Sequence, residues 1–422
     1  MFSYSTCSEM DPALGYELFV AAVFACGHSE IVILLTASGQ RAGYNGGQAA
    51  IFKEKVGVTM GNTACGQVTK IPVPPGQRVE AGELQAPAVK GYLLYTRNAF
   101  QVLFGFYLLY LGWRFYLFVQ HFEAGGSAPL TARPPAVEGF LPIGALMALR
   151  YWLATGIYDP VHPAALSILL AVLLVSLLFK KGFCSWICPV GAISEGLDRL
   201  GERLFGPKRP VMPRWLDLPL RSLKYVLLAF FVLAIFFLMS VDDVGAFLNT
   251  PYYRISDVKM LQFFLHLSPT ALVTLLALAV LSVIYRHFWC RYLCPYGAML
   301  GIVSIFSPLK ITRHTGLCSG CRSCDRVCPS YLKVSHSQRI WSPECTACLR
   351  CVENCPCRGA LTVAGPAGRG RINPWIFGGA LLAVFFGFIL LARLTGHWQT
   401  ILTPADYSAL IPYSQYFSHP GK

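Results

Sequence analysis

The sequence predicts an α-helical polytopic membrane protein of about five transmembrane helices in a tandem parallel repeat. A small cysteine-rich α+β domain is inserted before the last helix. Three observations predict this. The 422 residues are 55% hydrophobic and only 13% charged, with positive mean hydropathy, a balance unsuited to a soluble domain of this size. Five apolar runs, at about 99–120, 161–180, 222–241, 261–285 and 373–393, reach the ~20 residues a spanning helix needs. Finally, "FCSWICPVGAISE" (183–195) and "WCRYLCPYGAMLG" (289–301) each follow an apolar run with Cys-x-x-x-Cys-Pro and then Gly-Ala.

Charge placement orients the spans. Nine Lys or Arg fall in 180–224, against two in 121–160 (Arg133, Arg150) and two in 242–260 (Arg254, Lys259). The positive-inside rule puts the nine-charge side in the cytoplasm. The chain is then expected to begin inside, cross five times and leave residues 394–422 outside, with both Cys-x-x-x-Cys-Pro motifs on the cytoplasmic face. The net charge of +14 is explained by this segregation, and no nucleic-acid partner is expected. Arg114, near the far end of the first run, reads as a snorkelling side chain.

Residues 1–94 form an N-terminal region of uncertain fold. In "FVAAVFACGHSEIVILLTA" (19–37), Gly27-His28-Ser29-Glu30 interrupts the apolar run, so a buried strand or helix pair is expected rather than a span. "GQVTKIPVPPGQRVEAGELQA" (66–86) carries the Pro75-Gly76 chemistry of a hairpin, suggesting a small β-rich segment. No cleavable signal peptide is expected, because the start lacks a basic n-region. Residues 95–200 and 201–312 form the two repeat halves, each ending in its motif. Their outer loops, 137–165 and 241–260, are too apolar for free linkers and read as helices lying at the interface. Residues 313–363 form the cysteine-rich unit, and 364–422 the fifth helix and its outer tail.

Thirteen of the sixteen cysteines lie between Cys184 and Cys357. "CSGCRSCDRVCP" (318–329) and "CTACLRCVENCP" (345–356) are both Cys-x2-Cys-x2-Cys-x3-Cys-Pro. The run is similar to that of bacterial two-cluster ferredoxins, in which three thiolates hold one [4Fe–4S] cluster and the fourth ligates the other. That resemblance implies one cluster on Cys318, Cys321, Cys324 and Cys355, and a second on Cys345, Cys348, Cys351 and Cys328. Paired structural zinc sites are the competing reading. Cys357 stands outside the pattern and is expected to be a free thiol.

The Cys-x-x-x-Cys-Pro pairs are less specific. Each supplies two thiols, so a metal centre would need Cys184, Cys188, Cys290 and Cys294 together. A dithiol redox pair and plain packing cysteines stay open beside that shared centre. Trp186 and Tyr292 read as interface-belt aromatics. His121 and His162 read as outer interfacial histidines, with a bis-histidine haem as the minority reading. His266, beside Pro269, reads as a kink or quinone contact. There is no Cys-x-x-Cys-His, which removes covalently attached haem.

The ordered combination over about 95–365 resembles the NapH-type and NosR-type membrane ferredoxins. The resemblance implies a multi-pass protein of the bacterial inner membrane that passes electrons between the quinone pool and a redox partner such as a cytochrome, reductase or ferredoxin. Some relatives are instead accessory or maturation factors that reduce copper or thiols, and that is the rival function. A flavin-bearing outer domain has no counterpart here, and the fifth helix and the tail (397–417) depart from the family core. Arg313, Arg322, Arg326, Arg350 and Arg358 around the thiols would raise cluster potentials and steer an acidic partner, with a plain solvated face the equal alternative for any one of them.

Overall fold

The computed structural model describes residues 18–22, 33–37, 92–206, 209–366 and 370–417. The chain divides into two compact units, Met1–Val68 and Thr69–Lys422. In the first, β1 (Leu18–Ala22) and β2 (Ile33–Ala37) pair antiparallel, with Leu18 opposite Ala37. The interrupted apolar run is therefore a strand pair, and Gly27 to Glu30 fall between its strands. The expected hairpin at 66–86 lies outside the described residues.

The second unit is mostly helical. Its first half holds α1 (Tyr92–Glu123), α2 (Pro142–Thr155), α3 (Pro163–Phe179), α4 (Phe183–Trp186) and α5 (Pro189–Phe205). Next come α6 (Arg214–Leu233), α7 (Val241–Leu248), α8 (Pro251–Arg254), α9 (Ser256–Leu265), α10 (Pro269–Ile284) and α11 (Pro295–Ser304). The cysteine-rich unit adds β3 (Lys310–Arg313), α12 (Ser323–Arg326), α13 (Arg350–Glu353), β4 (Leu361–Ala364) and β5 (Arg371–Ile372). These strands form an antiparallel sheet in the order β3-β4-β5. The chain closes with α14 (Pro374–Leu394) and α15 (Pro404–Leu410).

Among the described residues, three helices are long and apolar enough to cross a membrane: α1, α6 continued through a π-helical turn to Leu238, and α14. The bent pair α9 and α10 makes a fourth if taken as one span. The continuous run expected at 261–285 is thus corrected. The chain turns by 79° between Leu265 and Pro269, because Ser268 caps a new helix through the Ala271 N–H and Pro269 opens it. His266 sits at this bend. The run at 161–180 forms only the 17-residue α3, shorter than a full span.

The α3 helix is nevertheless the centre of the unit. Leu166, Ala171, Val172 and Val175 are wholly buried, packed between α2, α11 and α14. Both outer loops fold into helices, α2 and α7 to α9. Beneath them His162 is fully buried. One of its ring nitrogens donates to the Tyr253 carbonyl at 2.8 Å, and the other lies 3.4 Å from Glu138. It is therefore an interior residue and not the interfacial one expected. His121 is held by the Ala128 carbonyl.

Candidate iron–sulfur site

Each Cys-Pro pair opens a helix. Pro189 and Pro295 occupy the first positions of α5 and α11, where a missing N–H costs nothing. Cys188 and Cys294 are thereby placed at the N-caps. At Cys294 the glycine three residues on turns its N–H to the cap sulfur, with Gly297 N 3.2 Å from Cys294 Sγ; at Cys188 the Gly191 N–H favours the thiolate without forming a cap hydrogen bond. The first cysteine of each motif lies in the preceding turn, Cys184 in α4 and Cys290 in a π-helical turn (Trp289–Leu293).

The two motifs meet. Cys184, Cys188, Cys290 and Cys294 line one cavity of about 450 Å³, which continues along Ile143, Leu146, Leu228, Phe231 and Met299. The four sulfurs are close enough for their charges to interact: Cys184 feels the other three. Burial pushes the Cys188 thiol up to about 11 and Cys290 to about 12. Lys181, whose charge favours the ionised forms of Cys184, Cys290 and Cys345, stands between this set and the cysteine-rich unit.

The two cysteine runs fold alike. Two residues after the first cysteine and four residues after it, the backbone is left-handed in both: Gly320 and Arg322 in one run, Ala347 and Leu349 in the other. Such φ values are uncommon for non-glycine residues. They turn successive N–H groups inward, as in an anion-binding nest. Gly320 and Ala347 accordingly donate to the Cys318 and Cys345 sulfurs. Leu332 N reaches Cys328 Sγ at 3.4 Å.

The fourth cysteine of each run lies with the opposite three. Cys355 interacts with Cys321 and Cys318, and Cys324 with Cys355. Cys328 interacts with Cys348 and Cys345. A small enclosure is lined by Cys328, Cys345, Cys348 and Cys351, closed by Ile311, Leu332, Val334, Ile340 and Leu349. Burial pushes Cys328 up to about 12 and Cys324 to about 11. Among the described residues, no three Cys, His, Asp or Glu side chains are grouped as direct ligands of one ion. A cubane puts one thiolate on each iron, so it needs wider spacing than a single zinc.

Cys357 is corrected: its side chain is buried and disulfide-bonded, so it is not the free thiol expected. Trp186 and Tyr292 are also corrected. Both are buried, Trp186 against the cysteine-rich unit and Tyr292 against α6 and its own turn. Trp186 donates to the Ala347 carbonyl at 3.3 Å, and Tyr292 donates to Asp217 at 2.7 Å. Gly378 of α14 leaves room for the indole, since a Cβ there would come within 2.4 Å of it.

Three successive carbonyls of the second run accept from the helical part: Thr346 from Ser185 at 2.6 Å, Ala347 from Trp186, and Cys348 from Arg97 at 3.0 Å. Arg350, expected at the surface, instead bridges Glu195 at 2.7 Å and Asp198 at 3.4 Å. Arg97 pairs with the same Glu195. Burial raises the Glu195 carboxyl, but Arg97, Arg350 and Arg199 outweigh it and bring it down to about 2. Sequence reading missed Arg97, Glu195 and Lys181. Only the acidic-basic pattern of 195–203 hinted at the middle one.

This geometry defines a class: a helical, membrane-associated protein that binds iron–sulfur clusters through cysteine runs of ferredoxin type. Comparison with known proteins agrees. A family described as "4Fe-4S binding domain" matches twice, at 161–208 and 267–314, and a "4Fe-4S dicluster domain" matches 310–356. The chain is 41% identical over 328 residues to the putative electron transport protein YccM of Escherichia coli K12, covering 76% of this chain and 91% of YccM. It is 33% identical to NirI of Paracoccus denitrificans over 45% of this chain and 27% of NirI. It is 25% identical to the ferredoxin-type protein NapH of E. coli over 50% of this chain and 70% of NapH. No solved structure matches. The chain belongs to the NapH/NosR-type family of membrane-associated, ferredoxin-type electron transport proteins.

Proposed function

We propose that this protein relays electrons between the quinone pool of a bacterial inner membrane and a respiratory redox partner protein. Cys318, Cys321, Cys324 and Cys355 hold one [4Fe–4S] cluster, and Cys345, Cys348, Cys351 and Cys328 the other. Cys184, Cys188, Cys290 and Cys294 hold a further shared metal centre. Each cluster, when bound, takes up and returns one electron at a potential set by charge, hydrogen bonds to sulfur and exposure. The donor set fits: all-thiol ligands, inward N–H groups at both runs, and an enclosure bounded by four sulfurs and apolar side chains.

The observation that carries the reading is the position of Cys348. It lines the small enclosure of the second set and also the larger four-thiol cavity. The second ferredoxin-type set and the four-thiol set are thereby contiguous, and Cys351 of the second set lies within electrostatic reach of Cys324 of the first. The apolar arm of the cavity along Leu146, Leu228 and Phe231 has the size and lining of a small-molecule site, and a quinone head group suits it. Pairing of the two motifs, the proline that opens the helix after each and the twofold family match support a tandem parallel repeat. The lysine and arginine count supports a cytoplasmic cysteine-rich unit and an outer C-terminal tail, with α3 and the α9–α10 pair completing five crossings.

Anaerobic protein, titrated stepwise and followed by EPR, should show two cubane signals and a third centre, and a quinol analogue should bleach the visible iron–sulfur bands. Iron-replete protein that no quinol analogue reduces would move the reading to the accessory role, in which the clusters reduce copper or thiols for another enzyme. Zinc without acid-labile sulfide would end the redox proposal.

A further inference from the structure

We propose that the face around Cys321 is the port for the soluble partner, and that it docks an acidic one-electron carrier protein. This deepens the reading above and rests on its cluster assignment. The two ferredoxin-type sets are unequally enclosed. The second is covered by α1 and α4, and Cys348 faces the inner cavity. In the first, Cys321 is exposed and Cys318 half-buried. A carrier arriving from solvent therefore meets the first set.

The exposed charges around that thiol have one sign. Arg322 follows Cys321, Arg326 lies a turn further on, and Arg358 follows Cys355 by three residues; all three arginines are exposed. Arg313 reaches the Cys318 sulfur. The unit has three carboxylates between 313 and 363, and each is engaged within the chain. Asp325 accepts from Ser335 N at 2.8 Å and from its hydroxyl. Glu344 is tied to Lys224, and Glu353 accepts from Leu94 N at 3.0 Å. None of the three carboxylates is exposed, so the charge the unit shows to solvent around Cys321 is that of the arginines, whereas Arg350 is spent internally. Anionic lipid would also meet exposed cations, but the exposed cluster thiol among these favours a protein that must approach it. One electron crosses per encounter, oxidising one protein and reducing the other, with no bond made or broken.

The test uses full-length protein in zwitterionic nanodiscs and a purified flavodoxin of net negative charge as probe. Affinity should fall about tenfold or more between ~50 mM and ~500 mM salt. Arg322→Glu with Arg358→Glu should weaken low-salt binding by about tenfold, while Arg203→Glu, on the exposed side of α5, should leave it unchanged. Equal probe affinity in the double variant overturns the port. So does a loss confined to phosphatidylglycerol vesicles, which would assign the face to lipid. Iron and sulfide are counted first in each sample: their absence sinks the cluster assignment, whereas unchanged affinity in iron-replete protein sinks the port alone.

Discussion

Lys224 of α6 and Glu344, the residue before Cys345, form a buried ion pair with Nζ 2.6 Å from Oε2 and 2.7 Å from Oε1. Tyr225 adds a hydroxyl to Oε1 at 2.9 Å, and Lys181 stands 3.8 Å away. A long apolar helix is thus fastened to the backbone that carries the second cysteine run. Removing one partner of a buried pair costs about 3–5 kcal/mol, because the other charge is stranded. Lys224→Met should fall at the low end, since Lys181 and Tyr225 still serve Glu344. Limited proteolysis of the 313–363 unit should quicken in that variant, and adding Glu344→Gln should restore part of the protection. Unchanged cleavage would mean that the pair fastens nothing.

The Glu195 carboxyl gives a pH signature. Its pKa is depressed from the ordinary 4.5 to about 2. A depressed carboxyl contributes stability fully present above 4.5, and this is lost as pH falls towards 2. The linkage corresponds to about 3 kcal/mol. Unfolding of wild type and Glu195→Gln should therefore differ by a constant amount above about pH 5, and the difference should shrink below it. A difference that stays level down to pH 3 would contradict the buried Arg97–Glu195–Arg350 triad.

The crossed fourth ligands make a third prediction. Cys328→Ser should abolish the signal of the cluster built around Cys345, and Cys355→Ser the one built around Cys318. Each variant is read by EPR and by the iron remaining. Loss of the same signal in both would mean that each run closes on its own fourth cysteine.

Much of this arrangement was legible because it is local. A cysteine spacing fixes which thiols share a turn, and Cys-Pro fixes where a helix starts. The pairings that seat the cysteine-rich unit are not local. Arg97 and Glu195 are 98 positions apart, and Lys224 and Glu344 are 120 apart. Before folding, such residues look like ordinary flanking charges. Trp186 and Tyr292 were misread for the same reason: an aromatic at the end of an apolar run resembles a membrane belt until its distant partner, Ala347 or Asp217, is known. The bend at His266 was legible only in part: His266 beside Pro269 reads as a kink, but the apolar composition of 261–285 hid that the chain breaks there into two helices. The Ser268-Pro269 start signal was present, but composition outweighed it.

The two halves are alike in sequence at Cys-Pro-x-Gly-Ala, yet their glycines are not equally constrained, and this yields the last prediction. A Cβ on Gly191 would sit 2.0 Å from the Cys184 carbonyl oxygen, a backbone atom that cannot rotate away. A Cβ on Gly297 would lie 3.5 Å from Cys294 Sγ, an ordinary contact. Gly191→Ala must therefore push the Cys184 turn off the α5 helix and carry its thiol away from the other three. Gly297→Ala keeps both its helix and its N–H to sulfur. The first should lose the third centre while both cubane signals remain, and the second should keep all three. If both variants lose the centre, the four thiols depend on more than this one close approach. If neither does, Cys184 is not held where its carbonyl meets Gly191, and the shared site loses its fourth corner.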